Sequence, residues 1–300
     1  MTACLKVLVT AKNGQLGWEL SQTLPSNVDA VFLDSKELDI TQAEIVFEKI
    51  KSFKPDLVIN AAAYTAVDKA ESDSEAAYLV NHQGAKNLAL ACKEIGAKLI
   101  HVSTDFVFDA TKNTPYQPED ETNPLGVYGA SKLAGEQAII EILADHSSII
   151  RTAWVYSTHG NNFVKTMLRL MAEKDQLGVV ADQVGTPTNA KNLARAIWLL
   201  AEQSGSEIGS FGKTYHWTDL GIASWYDFAV AIQELGIESG ILDKKIPINP
   251  IKASQYPTPA KRPAYSVLDT SLIRKDLNIS GIHWREALKN MINELKKSAA

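Results

Sequence analysis

Short apolar runs alternate with longer amphipathic stretches along the first half of the chain. Apolar runs of this length, rich in β-branched residues, are typical of buried parallel strands. They are Leu5–Thr10, Val28–Asp34, Pro55–Asn60, Lys98–Ser103 and Ser147–Thr152. The stretches between them predict helices, notably at 42–53, Ser74–Ile95 and Leu133–Leu143. Alternating strands and helices imply right-handed crossovers, so we predict an α/β fold with a Rossmann-like, doubly wound parallel sheet.

The second half of the chain has a different pattern. The periodicity predicts helices at Asn162–Glu173, Asn189–Gln203 and Ser224–Leu235, with short strands near 177–181, 213–217 and 245–249. Five prolines between 247 and 263 indicate loops that stay outside a central sheet. We predict a dinucleotide-binding domain at 1–152 and a smaller α/β substrate-binding domain at 153–300. Some segments of the second domain are expected to cross back to the first.

Composition narrows the classes of protein and of partner. Of the 300 residues 45% are hydrophobic and 22% charged, as in an ordinary globular protein. A net charge of −5 gives no basic surface for nucleic acid or an anionic membrane, and no apolar run approaches the roughly 20 residues of a membrane span. Cys4 and Cys92 are predicted to be buried free thiols in a reducing compartment, which favours the cytoplasm. The six scattered histidines predict no metal site.

Polar and glycine-bearing loops follow the predicted strands. Gly14 and Gly17, between the first strand and a helix, would let the backbone approach a pyrophosphate at a helix N-terminus. Asp34 lies 20 residues after Gly14, where an acid suits a ribose hydroxyl, whereas Ser35 and Lys36 suit a 2′-phosphate. The choice between NADH and NADPH therefore stays open. Because strand ends meet at one edge of a parallel sheet, these loops are expected to converge with 61–65 and 103–105.

Tyr128 and Lys132 are four residues apart, so a helix would present both side chains on one face. A free phenol has a pKa of about 10, and a neighbouring ammonium group favours its charged form. The pair is a plausible proton-transfer device. The same spacing is common on solvated helix faces, and the strand-end loops are what favour the functional interpretation.

The order of the motifs resembles the extended short-chain dehydrogenase/reductases, and within them the dTDP-4-dehydrorhamnose reductase family. The broader resemblance rests on the glycine loop, Asn60–Ala63, Ser103–Asp105 and Tyr128–Lys132. The closer one rests on 14–20, 64–71, 103–108, 151–156, 160–163, 182–188 and 256–263. These segments run nearly from end to end of the chain.

The resemblance implies NAD(P)H-dependent reduction of the C4 keto group of dTDP-4-dehydro-L-rhamnose, the last step of dTDP-L-rhamnose synthesis. It implies that Tyr128 protonates the developing alkoxide, Lys132 holds the nicotinamide ribose and lowers the tyrosine pKa, and Thr104 hydrogen-bonds the substrate carbonyl. The substrate contacts it implies are Thr104, Asp105, Trp154 and Arg262. The cofactor contacts it implies are Gly14, Gln15, Leu16, Gly17, Asp34, Asp39, Ile40, Ala63, Tyr64, Thr65, Val102, Tyr128 and Lys132.

Three positions depart from the family pattern. Ala11 stands in place of the usual first glycine, where its methyl group is expected to crowd the turn. Phe106 replaces a tyrosine close to Thr104. The glutamates through which some members bind a dimer-bridging magnesium correspond here to Glu19, Lys191 and Glu294. Because lysine cannot ligate magnesium as a carboxylate does, we expect a monomer or weak homodimer without a metal bridge.

Two other classes of protein share this resemblance. A sugar-nucleotide dehydratase or epimerase has the same fold, but dehydratases place a second acid where Phe106 follows Thr104-Asp105. The regulatory β subunit of methionine adenosyltransferase also resembles the family and is a binding partner rather than a catalyst. The presence of Thr104, Tyr128 and Lys132 together favours a reductase.

Overall fold

The computed structural model describes residues 4–204 and 211–299. Six parallel strands form the central sheet, in the order β10-β5-β4-β3-β1-β2 with strands numbered along the chain. They are β1 (Leu5–Thr10), β2 (Val28–Leu33), β3 (Leu57–Asn60), β4 (Lys98–Thr104), β5 (Ser147–Thr152) and β10 (Thr214–His216). The predicted doubly wound α/β fold is confirmed.

Helices cover both faces of this sheet. Those of the first half are α1 (Gln15–Gln22), α2 (Ala43–Phe53), α3 (Val67–Ala70), α4 (Ser74–Tyr78), α5 (Ala85–Ile95) and α6 (Val127–Leu143). A π-helical stretch at Leu79–Gly84 joins α4 to α5 within the single helix that the periodicity predicted. Helix α6 begins at Val127, six residues before the predicted start, so Tyr128 and Lys132 lie in its first two turns.

In its described part, the second half contributes β10 to the central sheet and otherwise forms five α-helices and short two-stranded ladders. The helices are α7 (Phe163–Glu173), α8 (Ala190–Gln203), α9 (Trp225–Ser239), α10 (Ser271–Leu277) and α11 (Trp284–Ala299). The short strands are β6 (Val155–Tyr156), β7 (Leu177–Val180), β8 (Val184–Gly185), β9 (Thr188–Asn189), β11 (Ala223–Ser224) and β12 (Ile248–Ile251). They pair as β6–β9, β7–β12 and β8–β11, so Pro250 of β12 stays outside the central sheet.

Parts of the second half pack on the first. The Trp198 indole of α8 donates to the Leu20 carbonyl of α1 at 3.0 Å, and β10 extends the sheet beyond β5. Ile273 of α10 belongs to the same buried cluster as Ile150 of β5. A separate core, which includes Phe228, forms among α7, α9 and α11. The division of the chain at residue 152 stays a prediction.

The two cysteines differ in exposure. Cys92 is buried, as predicted, and burial raises the pKa of its thiol to about 12. The prediction of burial is wrong for Cys4, which lies just before β1 at the sheet edge and is exposed, with its Sγ 3.2 Å from the Asn27 carbonyl. Within 4–204 and 211–299, no helix is long and apolar enough to cross a membrane.

Candidate active site

The glycine loop between β1 and α1 forms a tight turn. The Gly14 N–H donates to the Ala11 carbonyl at 2.9 Å, and a Cβ at Gly17 would lie 2.1 Å from that oxygen. Ala11 itself has a φ of 58°, in the left-handed region. Helix α1 begins after Gly14 without a side-chain cap and without an acid in its first turn. Its first N–H groups therefore face outward, which fits the pyrophosphate of a dinucleotide.

A segment of the second half covers this loop. Asn162 donates to the Gln15 side chain at 3.0 Å, and the His159 ring lies 3.0 Å from the Asn13 carbonyl. The same ring stacks on Trp18 with centroids 5.2 Å apart. Sequence reasoning did not give His159 a role. The Gly160-Asn161-Asn162 motif, with Gly160 at a φ of 72°, was the available signal.

The carboxylate of Asp34 lies beyond β2, where a cofactor ribose was predicted. It accepts the N–H groups of Lys36 and Glu37, at 2.9 and 3.1 Å, and the Asn13 amide at 3.0 Å. Desolvation acts to raise the pKa of Asp34, but these hydrogen bonds and the Lys12 ammonium hold it below its ordinary value. The predicted ribose-side group is therefore an ionised carboxylate.

Asp39 and Ile40, two further predicted cofactor residues, lie between β2 and α2. Asp39 Oδ1 accepts both the N–H and the hydroxyl of Thr41, at 3.0 and 2.8 Å. The side chain of Ile40 is buried against Gly84, while its carbonyl accepts the Asn87 amide at 2.9 Å. Ile40 is therefore a core residue.

Asn81 in the π-helical stretch fixes the loop after β3, which holds the predicted residues 63–65. Its Oδ1 accepts the Tyr64 N–H at 2.8 Å, and its Nδ2 donates to the Tyr64 carbonyl and to Ser131 Oγ at 3.2 and 3.0 Å. A Cβ at Gly135 would lie 2.2 Å from the Asn81 carbonyl, so α6 lies close against this stretch. Sequence reasoning missed Asn81, whose only signal is a polar residue on the inner face of a predicted helix.

The first turn of α6 brings Tyr128 to Thr104 at the end of β4. A Cβ at Gly129 would lie 2.1 Å from the Phe106 carbonyl, so this close approach requires glycine. Burial raises the pKa of Tyr128 to about 12; the Thr104 hydroxyl opposes this shift and the Asp105 carboxylate adds to it. The direction is opposite to the lowering expected from Lys132. The phenol stays protonated at neutral pH, which suits a proton donor.

Lys132 lies one turn further along α6 and is fully buried. Its Nζ donates to the Val102 carbonyl at 2.7 Å and lies 3.1 Å from His101 Nε2. Burial lowers the pKa of Lys132 to about 8, with the Glu136 carboxylate acting in the other direction. Two predicted cofactor residues, Val102 and Lys132, are thereby brought into direct contact.

The Thr104 hydroxyl donates to Asp105 Oδ1 at 3.1 Å and accepts the Phe106 N–H at 3.2 Å. Burial raises the pKa of Asp105 to about 6, and the Ser266 and Thr104 hydroxyls partly offset this shift. Phe106 packs edge-on against the Tyr128 ring at 5.4 Å. The phenylalanine that departs from the family pattern thus confines the phenol without offering it a hydrogen bond.

The two other predicted substrate residues lie in the second half. Trp154 stacks on Trp225 with centroids 3.5 Å apart, and its backbone has a φ of 48°, which is rare for an aromatic residue. Arg262 donates to both carboxylate oxygens of Asp68 at 2.9 and 2.8 Å and to the Thr258 hydroxyl at 2.5 Å. Its guanidinium therefore joins the 257–263 loop to α3.

The residues that correspond to the family's magnesium ligands lie together. Lys191 Nζ pairs with Glu294 at 2.7 Å, while the buried Glu19 accepts the Ser157 hydroxyl at 2.6 Å. Burial raises the pKa of Glu19, although Ser157 and Lys191 oppose this shift. Across 4–204 and 211–299, no three His, Cys, Asp or Glu residues form a metal site.

The parallel sheet, the uncapped glycine loop and the Tyr128–Lys132 pair beside Thr104 define an extended short-chain dehydrogenase/reductase. Residues 5–297 match the family model described as RmlD substrate binding domain. The dTDP-4-dehydrorhamnose reductase of Aggregatibacter actinomycetemcomitans is 44% identical over 289 residues, which cover 95% of this chain and 98% of that protein. The chain belongs to the dTDP-4-dehydrorhamnose reductase family.

Solved structures agree with this assignment. A dTDP-4-dehydrorhamnose reductase from Clostridium acetobutylicum is 41% identical and superposes with a TM-score of 0.89, covering 97% of this chain and 100% of that one. Its counterpart from Bacillus anthracis, in complex with NADP, is 36% identical with a TM-score of 0.89, covering 97% and 99%. The family predicted from the motifs is thus confirmed.

Proposed function

We propose that this chain reduces the C4 keto group of dTDP-4-dehydro-L-rhamnose to give dTDP-L-rhamnose, the last step of dTDP-rhamnose synthesis. The observation that carries the proposal is the position of the Tyr128 phenol beside Thr104, with Lys132 buried one turn behind it. A ketone that becomes an alkoxide needs donors already aimed at its oxygen. Family membership supports the identity of the sugar nucleotide.

The proposed cofactor is NADPH, with NADH as the alternative. The uncapped start of α1 at Gly14 suits the pyrophosphate, and Asp34 with Lys36 would face the adenosine ribose. Lys132 would lie beside the nicotinamide ribose. When bound, the reduced nicotinamide supplies the hydride to C4. The relative from Bacillus anthracis was solved with NADP, which favours the phosphorylated cofactor.

In the proposed mechanism the protein positions the ketone and supplies one proton. The Thr104 hydroxyl would turn its hydrogen from Asp105 Oδ1 to the carbonyl oxygen, and Tyr128 would give its phenolic proton to that oxygen as negative charge develops. At neutral pH the phenol is protonated, so Tyr128 has a proton to give. Trp154 would pack against the nucleotide sugar. Arg262 would exchange the Asp68 carboxylate for the substrate diphosphate, which a guanidinium grips at two points.

The proposed partners follow from the same site. A small nucleotide sugar is the substrate, and neither nucleic acid nor membrane is proposed as a partner. The ion pair between Lys191 and Glu294 supports a monomer or weak homodimer without a metal bridge. The two free thiols, Cys4 and Cys92, support a cytoplasmic location.

The test is the loss of reduced-nicotinamide absorbance when dTDP-4-dehydro-L-rhamnose is added to the protein with NADPH, and separately with NADH. Turnover with at least one cofactor is expected. The Tyr128→Phe variant should bind the cofactor normally while its kcat falls by roughly a hundredfold or more, the usual contribution of a general acid.

Tyr78→Phe is the matched control, because Tyr78 lies on α4 with 38% of its surface exposed. It should retain wild-type turnover. Absence of any substrate-dependent absorbance change in the wild-type protein would refute the proposed reaction. Normal turnover by Tyr128→Phe would show that another group donates the proton.

A further inference from the structure

His101 of β4 is wholly buried and has no role in the mechanism above. Its ring lies between two nitrogen groups. Asn60 Nδ2 is 2.9 Å from His101 Nδ1, and Lys132 Nζ is 3.1 Å from His101 Nε2. An amide nitrogen and an ammonium group are both donors, whereas a neutral imidazole has one donor and one acceptor. The position of the hydrogen on the His101 ring is therefore coupled to the orientation of the Asn60 amide and to the charge of Lys132.

The contacts of Thr10 and Ala62 with Asn60 decide which way the Asn60 amide faces. Asn60 Oδ1 accepts the Thr10 hydroxyl at 2.8 Å and the Ala62 N–H at 3.1 Å. Thr10 Oγ1 accepts the N–H groups of Ala61 and Ala62, both at 3.1 Å, so its own hydrogen remains for Asn60. Turning the amide would place Nδ2 against the Ala62 N–H, two donors facing each other. Asn60 therefore donates to His101 Nδ1.

An acceptor at Nδ1 means that the hydrogen of neutral His101 is on Nε2, directed at Lys132 Nζ. Such a hydrogen bond can be accepted by an amine, which has a lone pair, and not by an ammonium group. We propose that His101 is a positioning residue for the reduction, whose Nε2–H holds Lys132 Nζ in place and favours its uncharged form. For its effect on turnover, this inference rests on the proposed function.

The other groups around Lys132 are consistent with this assignment. Val102 offers a carbonyl acceptor at 2.7 Å, which either form of the lysine can use. From α6, Tyr128 stays a neutral phenol, and the Glu136 carboxylate is paired with Arg151 of β5 at 2.7 Å. Burial disfavours the lysine charge, and burial is also the main reason that the pKa of His101 lies well below its ordinary value, so the ring is neutral. A charged Lys132 requires His101 to move its hydrogen to Nδ1, against the Asn60 amide.

The tautomer is measurable without substrate or cofactor, by two-bond ¹H–¹⁵N correlation spectra of the histidine rings from pH 5.5 to 8.5. His216 is a built-in reference, because it is also buried and its Nδ1 lies 3.0 Å from the Tyr116 carbonyl, which only accepts. Neither ring should become an imidazolium. His101 should carry its hydrogen on Nε2 once Lys132 is uncharged, above the lysine pKa of about 8, and His216 should carry its hydrogen on Nδ1 throughout. The His101→Gln variant identifies the His101 signal. A His101 hydrogen on Nδ1 at pH 8.5, or an imidazolium at any pH, would overturn the proposal.

Asn60→Asp tests the coupling, because a carboxylate only accepts and would draw the hydrogen of His101 to Nδ1. Nε2 then becomes an acceptor for the Lys132 ammonium. The limb of the pH profile of kcat/KM that depends on Lys132 should move upward by about one to two pH units, the effect expected of a hydrogen bond to a charged group. A purely structural role for His101 would lower kcat or stability, and the ring spectra of Asn60→Asp would still show the His101 hydrogen on Nε2. If no sugar nucleotide is reduced, the proposed function fails while the tautomer measurement still stands or falls by itself.

Discussion

Ala11 is the residue whose replacement should most directly reveal strain in the cofactor loop. It has a φ of 58° in the turn from β1 to α1, a conformation that glycine adopts freely and alanine does not. Its carbonyl accepts the Gly14 N–H, and that hydrogen bond does not depend on the methyl group. The Ala11→Gly substitution should therefore relieve strain without removing a contact of the turn.

The expected gain is the difference between two terms. The left-handed conformation costs an L-residue roughly 1–2 kcal/mol. Glycine returns this amount but adds about 0.5–1 kcal/mol of backbone entropy to the unfolded chain. The net stabilisation is about 0.5–1 kcal/mol, which should raise Tm by about 1–2 °C in a chain of this size.

Thermal unfolding of the ligand-free variant, followed by circular dichroism, is the assay. Lys54→Gly is the control, because Lys54 has a φ of 51° at the exposed end of α2, away from the cofactor loop. Both variants should rise in Tm, and Ala11→Gly should bind NADPH as the wild type does. If Lys54→Gly gains stability and Ala11→Gly does not, the strain argument is wrong for Ala11. Tighter NADPH binding by Ala11→Gly alone would instead show that the methyl group crowds the cofactor.

Three carboxylates give further predictions. Asp34→Asn should raise the ratio of kcat/KM with NADPH to that with NADH by about tenfold, because a charge that repels the 2′-phosphate is lost; an unchanged ratio would place the adenosine ribose elsewhere. Asp68→Asn should lower KM for the nucleotide sugar at constant kcat, since Arg262 is released for the diphosphate; a higher KM would instead make that ion pair a structural bridge. Burial raises the pKa of Asp219 from 3.8 to about 7, so between these pH values the folded protein keeps a proton that the unfolded chain loses. The free energy of unfolding should therefore fall as the pH rises from about 4 to about 7. Asp219→Asn should flatten this dependence in urea titrations at pH 5 to 8, and an unaltered slope would contradict it.

The periodicity of the chain predicted the five strands of the first half because each is a short run with apolar residues at its centre, and all except the edge strand β2 are largely buried. Helix α6 was predicted to begin at Leu133 rather than Val127, since Gly129 and Ser131 are weak helix formers. Their small size serves tertiary packing, because Gly129 allows α6 to approach the Phe106 carbonyl. A contact between distant segments leaves no local periodicity, so this boundary could not be predicted.

The candidate site was predictable where a residue lies in a local motif, and not where distant partners define its role. Tyr128, Lys132 and Thr104 follow from strand ends and family motifs. Asn81 and His101 were missed because each acquires its role from partners far along the chain. The direction of the Tyr128 pKa shift was also missed. Burial of the phenol decides that direction, and spacing along a helix does not report burial.

β10 pairs with β5 in the sheet but follows it at a distance in the sequence, which has a consequence for the synthesis of the protein. β5 ends at Thr152 and its outer neighbour begins at Thr214, so about 60 residues separate the two edges that must pair. At a translation rate of about 5–20 residues per second, β5 stays open on one side for several seconds after it is made. An open apolar edge is a template for pairing with other chains. A fragment cut at residue 152 should therefore aggregate, and a nascent chain depends on chaperones or on rapid synthesis until residue 216 has emerged.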